Sequence, residues 1–223
     1  MINFHFVSLF PESFSSYLGE SIIARAIKNK IIGVKFYNPR DFVTGKYKKV
    51  WPDGNVSAQA DDRPYGGGPG MVLRAEPIIK ATKKAIGRKN KVKVIILSPS
   101  GKQFTNTEAE KLKKCKDIVF ICGRYEGIDA RVKKVLRADE YSVGPYVLTG
   151  GELGAMIMMD SISRRISGVL NKLDSLEENR VSTSEVYTRP EIFEIGGKKY
   201  SVPKVLLTGN HLEIDKWKKG KNK

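Results

Sequence analysis

Short, nearly unbroken apolar runs alternate along this chain with stretches whose apolar residues recur every three or four positions. That alternation limits the folds open to it. Residues 2–10, INFHFVSLF, read as a buried first strand, and Pro11 with Glu12 suit the first turn of a following helix. From Gly19 to Ile32 the positions Ile22, Ile23, Ala26 and Ile27 keep helical spacing, and Gly33 closes the segment. GVKFYNP is a second strand stopped by Pro39. Glu76 to Ile86 is helical, KVKVIILSP is a strand ended by Pro99, and Thr105 with Glu108 makes a capping box for a helix to Lys114. DIVFICG is a further strand, Ala130 to Leu136 a helix, and EYSVGPYVL a strand running into a loop. Thr149 and Glu152 make a second capping box, opening an apolar helix through Met159 and Ile162. Strands and helices in this order imply an α/β domain with a largely parallel sheet.

Two regions break the pattern. Arg40 to Gly70 is rich in Gly, Asp and Lys without periodicity, and loops that long inside compact domains are usually functional or mobile. Ser167 to Ser184 is polar and reads as a linker. Beyond it EIFEIGGKKYSVP is a hairpin around Gly196-Gly197, and a last helix carries Leu212, Ile214 and Trp217. The organisation expected is a main domain over 1–165, a linker over 166–186, and a small basic domain over 187–223, largely helical with a hairpin.

Composition removes several functions. No apolar run reaches membrane length, and the first residues lack the basic-then-apolar pattern of a signal peptide, so a cytoplasmic protein is expected. Two cysteines, Cys115 and Cys122, make neither a disulfide framework nor a metal ribbon. Two histidines, His5 and His211, leave little for a zinc site or a Ser-His-Asp triad. Forty Lys and Arg against 24 Asp and Glu give a net charge of +16. That excess has two readings, a face for a polyanion or a solvated lysine-rich surface.

Three glycine-rich segments could carry chemistry. Residues 61–71, DDRPYGGGPGM, are not a P-loop, since no Gly-Lys-Ser/Thr follows, and they do not fit G-x-G-x-x-G. Residues 122–127, CGRYEG, follow a strand at its carboxyl end, where open parallel sheets place ligands. Residues 143–152, VGPYVLTGGE, form a loop entering a helix. Glycine in such segments would let backbone groups approach a ligand closely, and residues 61–71 read equally as a tight loop needing positive φ.

Taken together with SLFPESF (8–14), NPRDF (38–42), LSPSG (97–101), DSISRRISGVL (160–170), YTRPE (187–191) and LLTGNHLEIDKW (206–217), these segments resemble, in order, the bacterial tRNA (guanine-37-N1)-methyltransferases of the knotted SPOUT superfamily. The resemblance implies an α/β domain threaded as a deep trefoil knot, a homodimer, and transfer of methyl from S-adenosylmethionine to N1 of guanine in tRNA carrying guanine at positions 36 and 37. It also links the family with magnesium, for which no ligands are assigned. The cofactor residues it implies are Leu97, Ser98 and Pro99, then Gly123, Tyr125 and Glu126. Val143, Gly144, Pro145, Tyr146, Val147 and Leu148 follow, with Gly150 and Gly151 beside them. Apolar Leu97, Val143 and Leu148 would sandwich the adenine.

Guanine N1 carries a proton, so the reaction needs a base, and a cation at O6 would stabilise the charge that develops. The resemblance gives Arg164 as that cation and leaves Arg165 facing solvent or RNA. It places an Asp where this chain has Asn179, and an amide cannot be the base. The linker is also shorter here, so Glu178, or Glu177, takes that role. Residues 51–60 stand as an insertion, and the chain stops soon after Trp217, where relatives carry further helix. Arg63, Arg189 and the lysine tail are the expected phosphate contacts. The alternatives are a tRNA-binding protein without catalysis and a knotted methyltransferase with another RNA target.

Overall fold

Nearly unbroken apolar runs build a sheet that is buried on both faces. In the computed structural model, which describes residues 1–170 and 185–220, the chain divides into two units, Met1–Asn171 and Lys172–Lys223. The first runs β1 (Ile2–Val7), α1 (Ser15–Leu18), α2 (Ser21–Lys28), β2 (Ile32–Tyr37), β3 (Lys48–Val50), β4 (Val56–Ala58), β5 (Asp61–Asp62), β6 (Val72–Leu73), α3 (Ala75–Ile86), β7 (Val92–Gln103), α4 (Asn106–Leu112), β8 (Asp117–Ile121), α5 (Arg131–Leu136), β9 (Asp139–Ser142) and α6 (Gly151–Ser163). Five strands form one sheet in the order β2-β1-β8-β7-β9, every pair parallel. The parallel α/β architecture expected from the alternation is the one found.

The pleat sends successive residues to opposite faces. Phe4, Phe6, Ile95, Ile118 and Phe120 pack on one face with Ile23 and Ala26 of α2, Leu112 of α4, and Met158, Met159 and Ile162 of α6. Their neighbours Val7, Val94, Ile96, Val119 and Ile121 pack on the other with Ile78, Ala81 and Ala85 of α3 and Val132 of α5. Phenylalanine rings knit the first layer, with Phe6 at 4.6 Å from Phe14 and 5.5 Å from Phe120. On the second face His5 is buried, its Nε2 2.9 Å from Asp117 Oδ1 and its Nδ1 3.3 Å from the Tyr37 hydroxyl.

Several local expectations change. Pro99 does not end β7: the strand leaves its partner after Leu97 and pairs with β9 again from Lys102, both residues standing opposite Tyr141. The four residues between arch outward, and Gly101 passes so close that a Cβ there would lie 2.6 Å from Tyr141 N. Gly33 lies inside β2; the preceding helix ends at Asn29, with Lys30 turning the chain at φ 55°. The Thr105 cap holds, accepting from the Glu108 amide at 3.4 Å. Thr149 does not cap α6; Gly150 occupies that position without a side-chain bond. The stretch from Arg40 contains two antiparallel ribbons, β3–β4 and β5–β6. Residues 166–170, assigned to the linker by composition, stay with the first unit, where Val169 is buried in the core and the Ile166 amide donates to Ser163 O.

In the second unit β10 (Ile192–Ile195) and β11 (Lys198–Ser201) form the expected hairpin. Gly196 and Gly197 both have positive φ, as a tight two-residue turn of this kind requires. A 3-10 turn over Lys204–Leu207 leads into α7 (His211–Gly220), and the Trp217 ring lies 6.3 Å from Tyr187.

Candidate active site

The start of the arch in β7 and the carboxyl ends of β8 and β9 open into a cleft of about 290 Å³. Open parallel sheets hold ligands at this edge. Three segments line it: residues 97–99 after the first half of β7, residues 123–127 after β8, and Tyr141 and Ser142 ending β9 with residues 143 and 146–151 beyond it. Leu97, Ser98, Pro99, Gly123, Tyr125, Glu126, Val143, Tyr146, Val147, Leu148, Gly150 and Gly151, expected as cofactor contacts, all face this space. Gly144 and Pro145 do not line it. Their turn closes on itself: the Ser142 hydroxyl donates to Gly144 O at 2.9 Å, the Tyr146 hydroxyl donates to Val143 O at 3.2 Å, and Pro145 is left exposed.

Glycine makes the cleft possible where α6 meets the loop after β8. The Gly151 amide donates to Gly123 O at 2.9 Å, and a Cβ on Gly151 would lie 2.8 Å from Cys122 Cα. One turn later a Cβ on Gly154 would press Leu97 Cδ1 at 3.2 Å. Within the loop Tyr125 holds φ 59°, an uncommon conformation for a residue with a side chain. Beneath it lies a polar seam. Glu152, 2% exposed, accepts from the Ser8 hydroxyl at 2.6 Å. Its other oxygen is 3.0 Å from Arg124 Nε, an ion pair without the alignment of a hydrogen bond. The Arg124 guanidinium stacks 4.6 Å above Phe10. Burial, with Glu152 beside it, pushes the Cys122 thiol well above its ordinary pKa, so it stays a neutral packing group. Sequence reasoning misses Arg124 and Ser8. Each sits in a segment that it does single out, and Ser8's place just past the carboxyl end of β1 is the available signal.

Loop 61–71 closes on the same wall. The Glu126 amide donates to Met71 O at 3.0 Å, and Gly70, at φ 79°, passes so close that a Cβ would lie 2.6 Å from Glu126 Oε1. The cleft's apolar side chains and glycine-lined walls suit a flat ring with polar edges. The family model described as tRNA (Guanine-1)-methyltransferase TrmD matches residues 2–223. The chain belongs to that family. It is 47% identical over 223 residues to a tRNA (guanine-N(1)-)-methyltransferase of Buchnera aphidicola from Acyrthosiphon pisum, covering 98% of this chain and 88% of that one. Proteins of the same name from Clostridioides difficile strain 630 (46% over 224 residues, 98% and 91% covered) and Geobacter metallireducens (40% over 224 residues, 99% and 86%) are similar throughout.

Of the remaining expected residues in the first unit, Arg63, Arg164 and Arg165 do not line the cleft. Arg164 is the C-cap of α6, whose opposite end forms the cleft wall. Arg165 does not face solvent, contrary to expectation: it is 5% exposed, and its Nη1 donates to Ser161 O at 2.6 Å. The helix turn points it inward, so it ties down the end of α6. Arg63 borders a separate groove of about 820 Å³ with Tyr47, Tyr65, Arg74 and Arg131. Arg189 belongs to the second unit. Glu177, Glu178 and Asn179 lie outside the described residues. Among the described residues no group of three or more His, Cys, Asp or Glu side chains converges as a metal site, and no helix is long and apolar enough to cross a membrane.

Proposed function

We propose that the cleft seats S-adenosylmethionine and that the chain uses it to methylate N1 of guanine 37 in tRNA, beside the anticodon. The observation that carries this reading is the convergence of three segments, distant in sequence, on one cleft at the carboxyl edge of the sheet. When bound, S-adenosylmethionine supplies an electrophilic methyl carbon on a sulfonium that leaves as a neutral thioether. Leu97, Val143 and Leu148 offer apolar faces to an adenine, backbone groups of residues 146–151 its polar edge, and Glu126 a carboxylate for a polar group. Glu178 accepts the N1 proton, since Asn179 cannot, and Arg164 holds the charge developing on O6. Arg63, Arg189 and the lysine tail contact phosphates.

One distance argues for a homodimer. Arg164 lies ten residues beyond Gly154 on α6, about 15 Å along the axis, farther than an arginine side chain reaches. A second copy would supply it. The α6 face carrying Leu153 and Ile157, both exposed and one turn apart, supports such pairing. The sheet order and the tight passage of Gly151 beside Cys122 support the trefoil knot, and the tRNA substrate supports a cytoplasmic location. Magnesium enters only through the family resemblance.

A methyl-transfer assay on unmodified tRNA with guanine at 36 and 37, its product mapped to the base atom, tests the reading. Single-turnover rates test the base. Glu178→Gln should slow the chemical step and leave cofactor affinity intact. A slow Glu177→Gln beside a normal Glu178→Gln would move the base by one residue. A large acceleration by Asn179→Asp alone would favour a tRNA-binding protein that has lost its base.

A further inference from the structure

The β3–β4 hairpin falls between the segments 38–42 and 61–71 and takes no part in the cleft. Its base is firmly held. The Gln59 amide donates to Tyr47 O at 3.0 Å, the Tyr47 hydroxyl donates to Asp62 Oδ2 at 2.6 Å, and the Arg74 guanidinium stacks 3.5 Å above the Tyr47 ring. Its tip is closed by its own bonds. The Trp51 amide donates to Asn55 O at 2.9 Å, the Gly54 amide donates to Trp51 O at 3.0 Å, and Asp53 accepts from the Asn55 amide and side chain. Between tip and base its apolar side chains are exposed among the described residues: Val50 is 67%, Val56 56% and Trp51 53% exposed. A two-stranded ribbon with no covering layer is marginally stable. This one nevertheless presents an indole on a shaped turn.

Charge identifies what fits there. From residue 46 to 58 the chain carries Lys46, Lys48 and Lys49 against a single acid, Asp53, which the turn engages. Lysine is depleted from the centres of protein interfaces, and three apolar side chains on one ribbon make a small patch for a protein partner. An exposed indole face near lysines suits nucleic acid, where a base stacks on the ring and neighbouring phosphates meet the cations.

We propose that the β3–β4 hairpin is an accessory tRNA grip, in which Trp51 stacks on an exposed base while Lys46, Lys48 and Lys49 meet the flanking phosphates. The inference rests on the tRNA-methylating reading and adds to it a contact outside the cleft. It makes the hairpin a determinant of tRNA affinity with no part in cofactor binding or methyl transfer.

The full-length protein tests it. Trp51→Ala should weaken binding of unmodified tRNA about tenfold, the loss of one stacked base, while Trp51→Phe stays near the parent. Cofactor affinity by calorimetry and the single-turnover rate at saturating tRNA should not move. Lys48→Ala with Lys49→Ala should lower the slope of log affinity against log salt by roughly 0.7–0.9 for each phosphate no longer neutralised. In a Trp217→Phe background Trp51 is the sole tryptophan, and its fluorescence should be quenched when tRNA is added. Parent-like tRNA affinity in Trp51→Ala overturns the grip. So does a sedimentation profile showing that Trp51→Ala dissociates an oligomer while tRNA affinity holds, which would make the hairpin a protein interface. A parent protein that binds no tRNA overturns the functional reading as well.

Discussion

Replacing Gly151 with alanine should cost this protein stability, whereas replacing Gly123, its hydrogen-bond partner, should cost it the cofactor. At Gly151 the new Cβ would stand 2.8 Å from Cys122 Cα, 3.0 Å from Gly123 N and 3.2 Å from Cys122 C, all backbone atoms with no rotamer to escape into. Carbon pairs settle at about 3.5–4.0 Å, so the first turn of α6 must recede by about 1 Å. The bond from the Gly151 amide to Gly123 O, now 2.9 Å, would then stretch out of hydrogen-bonding range. Overpacking costs about 1–3 kcal/mol and the lost buried bond about 1 kcal/mol more. Better helix propensity returns at most about 1 kcal/mol. A net loss of about 1–3 kcal/mol corresponds to a fall in Tm of roughly 2–12 °C for a domain of this size. At Gly123 the nearest protein atoms to a Cβ would be Ile128 Cδ1 and Cγ1 at 3.5 Å, ordinary contact. Stability should therefore stay within about 0.5 kcal/mol of the parent. The added methyl would occupy space at the cleft wall, and S-adenosylmethionine affinity should fall, further still in Gly123→Val. Thermal melts paired with titration calorimetry separate the two. A Gly151→Ala protein that melts with the parent, or a Gly123→Val protein that binds the cofactor undiminished, would refute this account of the cleft.

Burial is the largest cause of the lowered His5 pKa, so the native state favours the neutral ring. That contribution is complete above the ordinary value near 6.5 and is lost as pH falls below it; urea unfolding across pH 7.5–5 should show the decline, and His5→Gln should flatten it. Glu108 is held down to about 2 by Lys111, Lys102 and the Tyr141 hydroxyl, so its stabilisation is complete above pH 4.5 and is lost progressively as pH falls from there to about 2. A Glu108→Gln protein with the parent's acid profile would contradict this. Arg165→Ala should destabilise by about 1–3 kcal/mol through its lost bonds to Ser161 and leave the salt dependence of tRNA binding untouched; a changed salt slope would return Arg165 to the RNA surface. Cys122 should resist thiol reagents in the native protein, and rapid labelling would mean that the seam between Gly123 and Gly151 opens readily.

Periodicity in the sequence carries what is local. Phe4, Phe6, Ile118 and Phe120 on one face, and Val7, Val119 and Ile121 on the other, are legible as strands because a sheet buried on both sides needs apolar residues at every step. The cleft is a different matter. Family resemblance is what points to its walls, since no spacing rule says that Leu97, Gly123 and Leu148 meet. Local rules fail where a distant residue decides. Thr149 followed by Glu152 has the form of a capping box, yet Glu152 is drawn inward by Ser8, 144 residues away, and by Arg124. That carboxylate is engaged there and makes no cap bond, and the chain enters α6 through Gly150 with no side-chain cap. Pro99 fails as a strand end for a similar reason: β9 pairs with β7 on both sides of the arch, so the strand resumes where local signals stop it. Both of these failures lie at the cleft rim, where strand ends and helix starts answer to contacts across the sheet. There a carboxylate is buried against an unaligned arginine, and a tyrosine holds φ 59°. Local preference is overridden at the place where a ligand has to fit, which is what the function of such an edge demands.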